Sequence, residues 1–153
     1  MTSIFRALWD GALRPLTSRP PALQVAALCH REGEDGTEVL LVSSSSGRWI
    51  LPKGWPLDGL SAAEAAKREA WEEGGVKKAR ADEGAALTIQ SEKRYDDGLT
   101  IPCEVKIFPV AVTKVSSDFP EKDRRKRLWV SPEKAADIVD EPGLRDVLLR
   151  FAG

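Results

Sequence analysis

The stretch GWPLDGLSAAEAAKREAWEEGGV, residues 54–76, constrains this chain more than any other. Ser61 followed by Glu64 is a capping box, so the spacing predicts a helix starting at Ser61. Gly74-Gly75 predicts its end, because glycine turns the backbone at little cost. At about 100° per residue, Glu69, Glu72 and Glu73 fall within an arc of about 100°. Ala62, Ala63, Ala66 and Ala70 fall mainly on the neighbouring stripe, where small side chains let a helix pack closely.

Three clustered carboxylates repel one another, which costs helix stability. The arrangement makes sense if a divalent cation joins them. Mg²⁺ prefers oxygen ligands and keeps waters for substrate phosphates. For a generic helix the plainer explanation is a solvated Ala/Glu-rich face whose glutamates pair with Lys67 and Arg68. The flanking glycines and the order Arg68-Glu69-Ala70-Trp71-Glu72-Glu73-Gly74-Gly75-Val76 favour the metal reading.

That order resembles the Nudix box: Gly, five residues, Glu, seven residues, Arg-Glu-hydrophobic-x-Glu-Glu-x-Gly-hydrophobic. Gly54, Arg68, Glu69, Glu72, Glu73, Gly75 and Val76 fit at the right spacing. Leu60 departs from it, standing where the pattern has glutamate; the loss bears on loop anchoring more than on metal binding. Glu64, one turn before Arg68, offers a substitute ion pair worth roughly a few tenths of a kcal/mol. The resemblance implies an α/β Nudix fold: a mixed β-sheet sandwiched between helices, with the box as a loop-helix-loop unit.

A chain of 153 residues fits one domain with a real core. A net charge of −1 argues against a general nucleic-acid or membrane binder, so no stable nucleic-acid partner is expected. No apolar run approaches transmembrane length. Cys29 and Cys103 lack metal-site spacing and suggest a reducing compartment, read here as the cytoplasm, with both thiols buried. The only histidine, His30, follows an apolar strand, which excludes a His-rich metal site.

Residues 1–19 read as an N-terminal amphipathic extension, with Ile4, Phe5, Leu8, Trp9 and Leu13 roughly on one helical face. Arg6, Arg14 and Arg19 raise the question of a targeting segment, but a secretory cleavage pattern is missing. The preferred reading is a helix packed on its own domain or on a partner subunit, which leaves a homodimer open. Pro15, Pro20 and Pro21 mark the boundary to a catalytic domain over residues 20–153.

Strands are expected over Leu23–Cys29, Glu38–Val42, Arg48–Leu51, Ala86–Ser91, Cys103–Val115 and Leu128–Val130. Pro109 predicts a bulge or an edge position for the fifth of these. Lys77–Gly84 reads as a charged turn. Ser131-Pro132 opens a helix to about residue 139, and a last helix turns Leu144, Val147, Leu148 and Phe151 towards the core.

Beyond the box the chain is similar to the diphosphoinositol polyphosphate phosphohydrolase branch. The similarity lies in Glu38–Ser45, in Arg48-Trp49-Ile50-Leu51-Pro52 and in Arg125-Lys126-Arg127-Leu128-Trp129. Pro52-Lys53-Gly54 also resembles dinucleoside polyphosphate hydrolases. At Leu23-Gln24 the inositol pyrophosphate enzymes carry a basic pair, which is missing here and favours a dinucleoside polyphosphate. Dense phosphate needs Arg forks and Lys point charges. The resemblance therefore implies substrate contacts from Ser45, Arg48, Arg125, Lys126 and Arg127, although a solvated loop is the reading of EKDRRKR on composition alone.

The same resemblance implies that Glu69, Glu73 and the backbone carbonyl of Lys53 bind Mg²⁺ or Mn²⁺. Glu72 is then the general base, with exchange of roles between Glu69 and Glu72 left open, and Arg68 orients the carboxylates. The expected activity is hydrolysis of a phosphoanhydride in a small-molecule substrate. A catalytically silent module that binds a nucleotide or polyphosphate is the alternative; only Leu60 favours it.

Overall fold

A computed structural model describes residues 22–95 and 97–153, so the extension expected over residues 1–19 lies outside the described residues. The strands are β1 (Ala22–Gly33), β2 (Gly36–Ser43), β3 (Trp49–Ile50), β4 (Lys53–Gly54), β5 (Val76–Ala81), β6 (Leu87–Arg94), β7 (Thr100–Val115) and β8 (Arg127–Val130). The helices are α1 (Ala62–Gly74), α2 (Pro132–Ile138) and α3 (Pro142–Ala152). Together the strands make one mixed sheet.

Its centre is β1 lying parallel to β7, from Ala22 opposite Cys103 to His30 opposite Ala111. All other pairings are antiparallel: β2 and β4 on β1, β3 and β8 on β2, β5 and β6 on β7. A strand covered on both faces reads as a continuous apolar run, which is the case for Val25–Cys29. Alternation then divides it. Val25, Ala27 and Cys29 join Leu40, Val42 and Phe108 beneath Ala63, Ala66 and Ala70 of α1. Ala26 and Leu28 join Val39, Leu41 and Ile107 against α2 and α3 through Ala135, Val147 and Leu148. The expected sandwich of a mixed sheet between helices is what the chain forms.

The helix ends follow local chemistry. Ser61 Oγ accepts the Glu64 N–H and Glu64 Oε1 accepts the Ser61 N–H, each at 3.1 Å, as the capping box predicts. Gly75 closes α1 at φ 71°, its N–H bonded to Ala70 and Trp71. Ser131 caps α2 with Pro132 in its first turn.

Two expectations are corrected. Lys77–Gly84 is not a turn throughout: Val76–Ala81 is a strand on the outer side of β7, and its exposed Lys77, Lys78 and Arg80 beside small Ala79 and Ala81 explain why it lacks an apolar signature. Pro109 is not at an edge, and the register shifts of the β5–β7 pair lie elsewhere, at Val76, Lys78 and Ala79. It sits in β7 where one neighbour gives way to another: β6 ends opposite Ile107 and β5 begins opposite Val110. A missing N–H costs little at that break in the ladder, and the Pro109 carbonyl still accepts from Asp82 N–H at 2.8 Å.

Candidate active site

The carboxyl groups of Glu69 and Glu73, one turn apart on α1, meet under the β4 strand. Glu69 lies against Gly54, where a Cβ would come 2.6 Å from Oε1. Glu73 is 4% exposed. Its Oε1 accepts the Lys53 N–H at 3.2 Å, and its Oε2 lies 3.4 Å from Arg125 Nη2. Pairing of β4 with β1, Ala26 opposite Lys53 and Val25 opposite Gly54, fixes this loop over the helix.

Burial raises the pKa of both carboxyls. Glu73 is pushed up to about 8 by desolvation, against the pull of Arg125, and the hydrogen-bonded Glu69 carboxyl adds to the rise. In the protonated form Glu73 donates to Glu69. The charges of Glu72 and Glu121 raise Glu69 further, after burial. A buried and a half-buried carboxyl, each drawn towards its protonated form, are suited to a divalent cation. Among the described residues no three carboxylate, imidazole or thiol side chains converge as a finished cage. Two adjacent carboxyls beside a pocket fit an ion that keeps waters and takes further oxygens from a ligand, as Mg²⁺ does.

Arg125 is held by three acceptors: Glu73, Glu121 Oε1 at 2.9 Å and the Ser43 carbonyl at 2.7 Å. Glu121 was not singled out by sequence reasoning, because the run it opens was weighed for its basic residues. Its acidic character beside that run was the available signal.

A pocket of about 430 Å³ opens next to the carboxyl pair, lined by Glu73, Ser45, Arg48, Lys53 and Arg125 as well as Gln24, Lys93, Arg94, Tyr95 and Thr100. The last five come from β1 and the β6–β7 hairpin, and of these a linear reading weighs only Gln24. Ser44 and Ser46, rather than Ser45, hold Arg48: Ser44 Oγ accepts its N–H at 3.0 Å and Ser46 Oγ accepts its Nε at 3.3 Å. Arg48 also reaches Asp140 at 3.6 Å. Burial lowers the pKa of the Lys53 side chain, and the nearby charges of Arg48 and Lys93 lower it further against Glu141. The pocket is thus rich in cations that face one another.

Three expected roles are not matched by position. Arg127 Nη1 donates to the carbonyls of Gly74 at 3.0 Å and Ser116 at 2.9 Å, with its guanidinium over the Phe119 ring. It closes the end of α1 and does not line the pocket. The Lys126 N–H donates to Ser43 Oγ at 2.9 Å and its carbonyl accepts the Ser43 N–H at 3.1 Å, while its side chain is exposed. Arg68 lies on the opposite side of α1, in a groove with Leu60, Glu64 and Trp71. Among the described residues it pairs with no carboxylate, since Glu64 is engaged by Ser61 and Leu60 has no charge to offer.

A larger, mostly apolar cavity of about 740 Å³ lies on the other face of the sheet, around Leu28, His30, Ile107 and Phe151. His30 stacks there 5.0 Å from Phe151, away from the carboxyl pair, and burial lowers its pKa.

The NUDIX domain model matches residues 21–151. The chain belongs to the Nudix family. It is 32% identical over 117 residues to Nudix hydrolase 16, mitochondrial, of Arabidopsis thaliana, covering 73% of this chain and 63% of that protein. It is 33% identical over 124 residues to Nudix hydrolase 21, chloroplastic, of the same plant, covering 79% and 60%. The chain spans about three-fifths of the length of these curated relatives. In structure it is similar to the Ap4A hydrolase of C. elegans, with a TM-score of 0.68 at 23% identity, covering 87% of this chain and 97% of that one. The E. coli dihydroneopterin triphosphate pyrophosphohydrolase superposes with a TM-score of 0.61 at 17% identity, covering 85% and 94%. At these identities the structural likeness concerns the fold. Both free cysteines are buried, and no described helix is long and apolar enough to cross a membrane.

Proposed function

We propose that this Nudix protein is a divalent-metal-dependent hydrolase that cleaves a phosphoanhydride bond in a polyphosphate substrate. The observation that carries the reading is the hydrogen-bonded Glu69–Glu73 carboxyl pair, of which the buried Glu73 lines a cation-rich pocket. The names of the relatives point the same way: they are Nudix hydrolases, and one structural neighbour is an Ap4A hydrolase. Within this class a dinucleoside polyphosphate is preferred over a diphosphoinositol polyphosphate, because Gln24 replaces a basic residue.

A phosphoanhydride resists water because its negative charge repels nucleophiles. Glu69, Glu73 and the Lys53 carbonyl would hold Mg²⁺ or Mn²⁺, which when bound would supply charge neutralisation and a lowered pKa for water. Glu72, on the same helix, accepts the proton of the attacking water. Arg48 and the Lys53 ammonium hold phosphate oxygens and align the bond to be cleaved. Arg125 keeps Glu73 in place and balances its charge once it is ionised. The free thiols suit a reducing compartment, and the cytoplasm is the location proposed.

The test is phosphate release from diadenosine polyphosphates and diphosphoinositol polyphosphates with Mg²⁺ or Mn²⁺, alongside Glu72→Gln. Turnover that needs metal and falls at least about a hundredfold in Glu72→Gln is expected. Tight ligand binding without turnover by the folded wild-type protein would establish the silent binding module instead.

A further inference from the structure

We propose that Gln24 is a specificity residue of this pocket, whose side-chain amide accepts a hydrogen bond from a hydroxyl or amino group on the organic part of the ligand. The proposal rests on reading the pocket as the polyphosphate site. Gln24 lines that pocket and is 2% exposed, yet among the described residues its Oε1 has no hydrogen-bond partner. A buried amide oxygen is expensive to leave unpaired, and such atoms in a folded protein call for an explanation.

The position itself does not require a polar residue. Gln24 follows the same alternation on β1 as Ala26 and Leu28, which belong to the apolar core. Opposite it in β7 is Val105. An apolar side chain would fit this pattern without an orphaned atom.

The rest of the pocket narrows what can meet Oε1. Arg48, Lys53, Lys93, Arg94 and Arg125 are donors only, which matches ionised phosphate oxygens, acceptors only. Two acceptors cannot satisfy each other, so phosphate oxygens belong with the cations and not with Oε1. Whichever way the terminal amide is turned, it offers an acceptor that lysine or arginine at this position would lack. A neutral donor carried by the ligand next to its phosphates would meet Oε1 while the cations take the phosphate oxygens. A ribose hydroxyl or a base amino group qualifies. A ring phosphorylated at every position does not.

Binding of ADP and of inorganic pyrophosphate, measured by calorimetry on the full chain, tests this without relying on turnover. Both ligands carry a diphosphate, but only ADP adds ribose and base donors. Gln24→Met removes the amide at nearly constant length. The expected result is an ADP affinity lowered about tenfold, the scale of one lost hydrogen bond. Pyrophosphate affinity should be unchanged, and the unfolding temperature of the ligand-free protein should not fall, because methionine leaves no orphaned oxygen. Equal loss for both ligands, unchanged ADP affinity, or no preference for ADP in the wild type would overturn the proposal. So would unfolding of Gln24→Met, because Oε1 would then have a structural partner.

Gln24→Lys provides a second check: it should tighten pyrophosphate binding while the preference for ADP disappears. Retention of that preference would also overturn the assignment. Hydrolysis that depends on metal and on Glu72, together with no effect at Gln24, would sink only this inference. ADP selectivity lost in Gln24→Met, in a protein without turnover, would sink only the proposed hydrolysis.

Discussion

The Glu69 carboxyl occupies the space into which a side chain at Gly54 would grow. A Cβ at Gly54 would lie 2.5 Å from the Glu69 carboxyl carbon. The glycine at the head of the box is therefore explained by close approach: a strand and a carboxyl-bearing helix meet with no room between them. Gly54→Ala should push Glu69 out of line with Glu73 and lower Mn²⁺ affinity by about tenfold or more, as for lost positioning groups around a metal. Calorimetric Mn²⁺ titration reads this directly. An unchanged affinity would mean that Glu69 adapts at no cost.

The raised Glu73 carboxyl makes the metal-free protein sensitive to pH. Its folded pKa of about 8 lies above the ordinary 4.5, so the folded state binds the proton more tightly than the unfolded chain. That contribution to stability is fully present below pH 4.5 and is lost as pH rises to about 8. Unfolding temperatures in EDTA should show this component, and Glu73→Gln should remove it. Because metal must displace the shared proton, Mn²⁺ affinity should rise over the same interval. A pH-independent affinity between these limits would contradict the protonated pair.

Arg125 and Arg127, two residues apart, should separate function from stability. Arg127→Ala removes hydrogen bonds from a charged donor to two backbone carbonyls and the stacking on Phe119. A loss of about 2–3 kcal/mol is expected in urea unfolding, with kcat of the folded fraction nearly unchanged. Arg125→Ala leaves Glu73 without its cation and should lower kcat as well as stability. A kcat loss in Arg127→Ala equal to that in Arg125→Ala would return Arg127 to the substrate site.

Leu60→Glu should repair an incomplete pair. Leu60 and Arg68 line one groove on the side of α1 away from the pocket. A carboxylate there would face the Arg68 guanidinium at a largely exposed site, worth about 0.5 kcal/mol at low salt. The gain should appear as a higher urea midpoint that shrinks at high ionic strength. Stabilisation that salt does not reduce would rule out the ion pair.

The helix of the box was legible because its determinants are neighbours in the chain. Ser61 and Glu64 cap one end, Gly75 closes the other, and the alanine and glutamate stripes follow from the turn angle. The buried run Val25–Cys29 announced a doubly covered strand for the same local reason. β5 was not legible: it lies on the outer side of β7 with Lys77, Lys78 and Arg80 in water and only Val76 and two alanines turned inward, too weak an apolar pattern to announce a strand. Pro109 misled because its missing N–H is tolerated at a break between two neighbouring strands, which only the assembled sheet contains.

By itself the sequence determined the family, the helix of the box and the carboxylates it presents, since these depend on residue order and a fixed helical pitch. Only the tertiary structure decided which cations serve the pocket. Arg125 reaches Glu73 across fifty-two positions, whereas Arg127 is taken up by the carbonyls of Gly74 and Ser116. Gln24 and Lys93 enter the same pocket from separate strands. Side-chain charge is a property of the residue, but its partner is set by which backbone segments packing brings within about 3 Å.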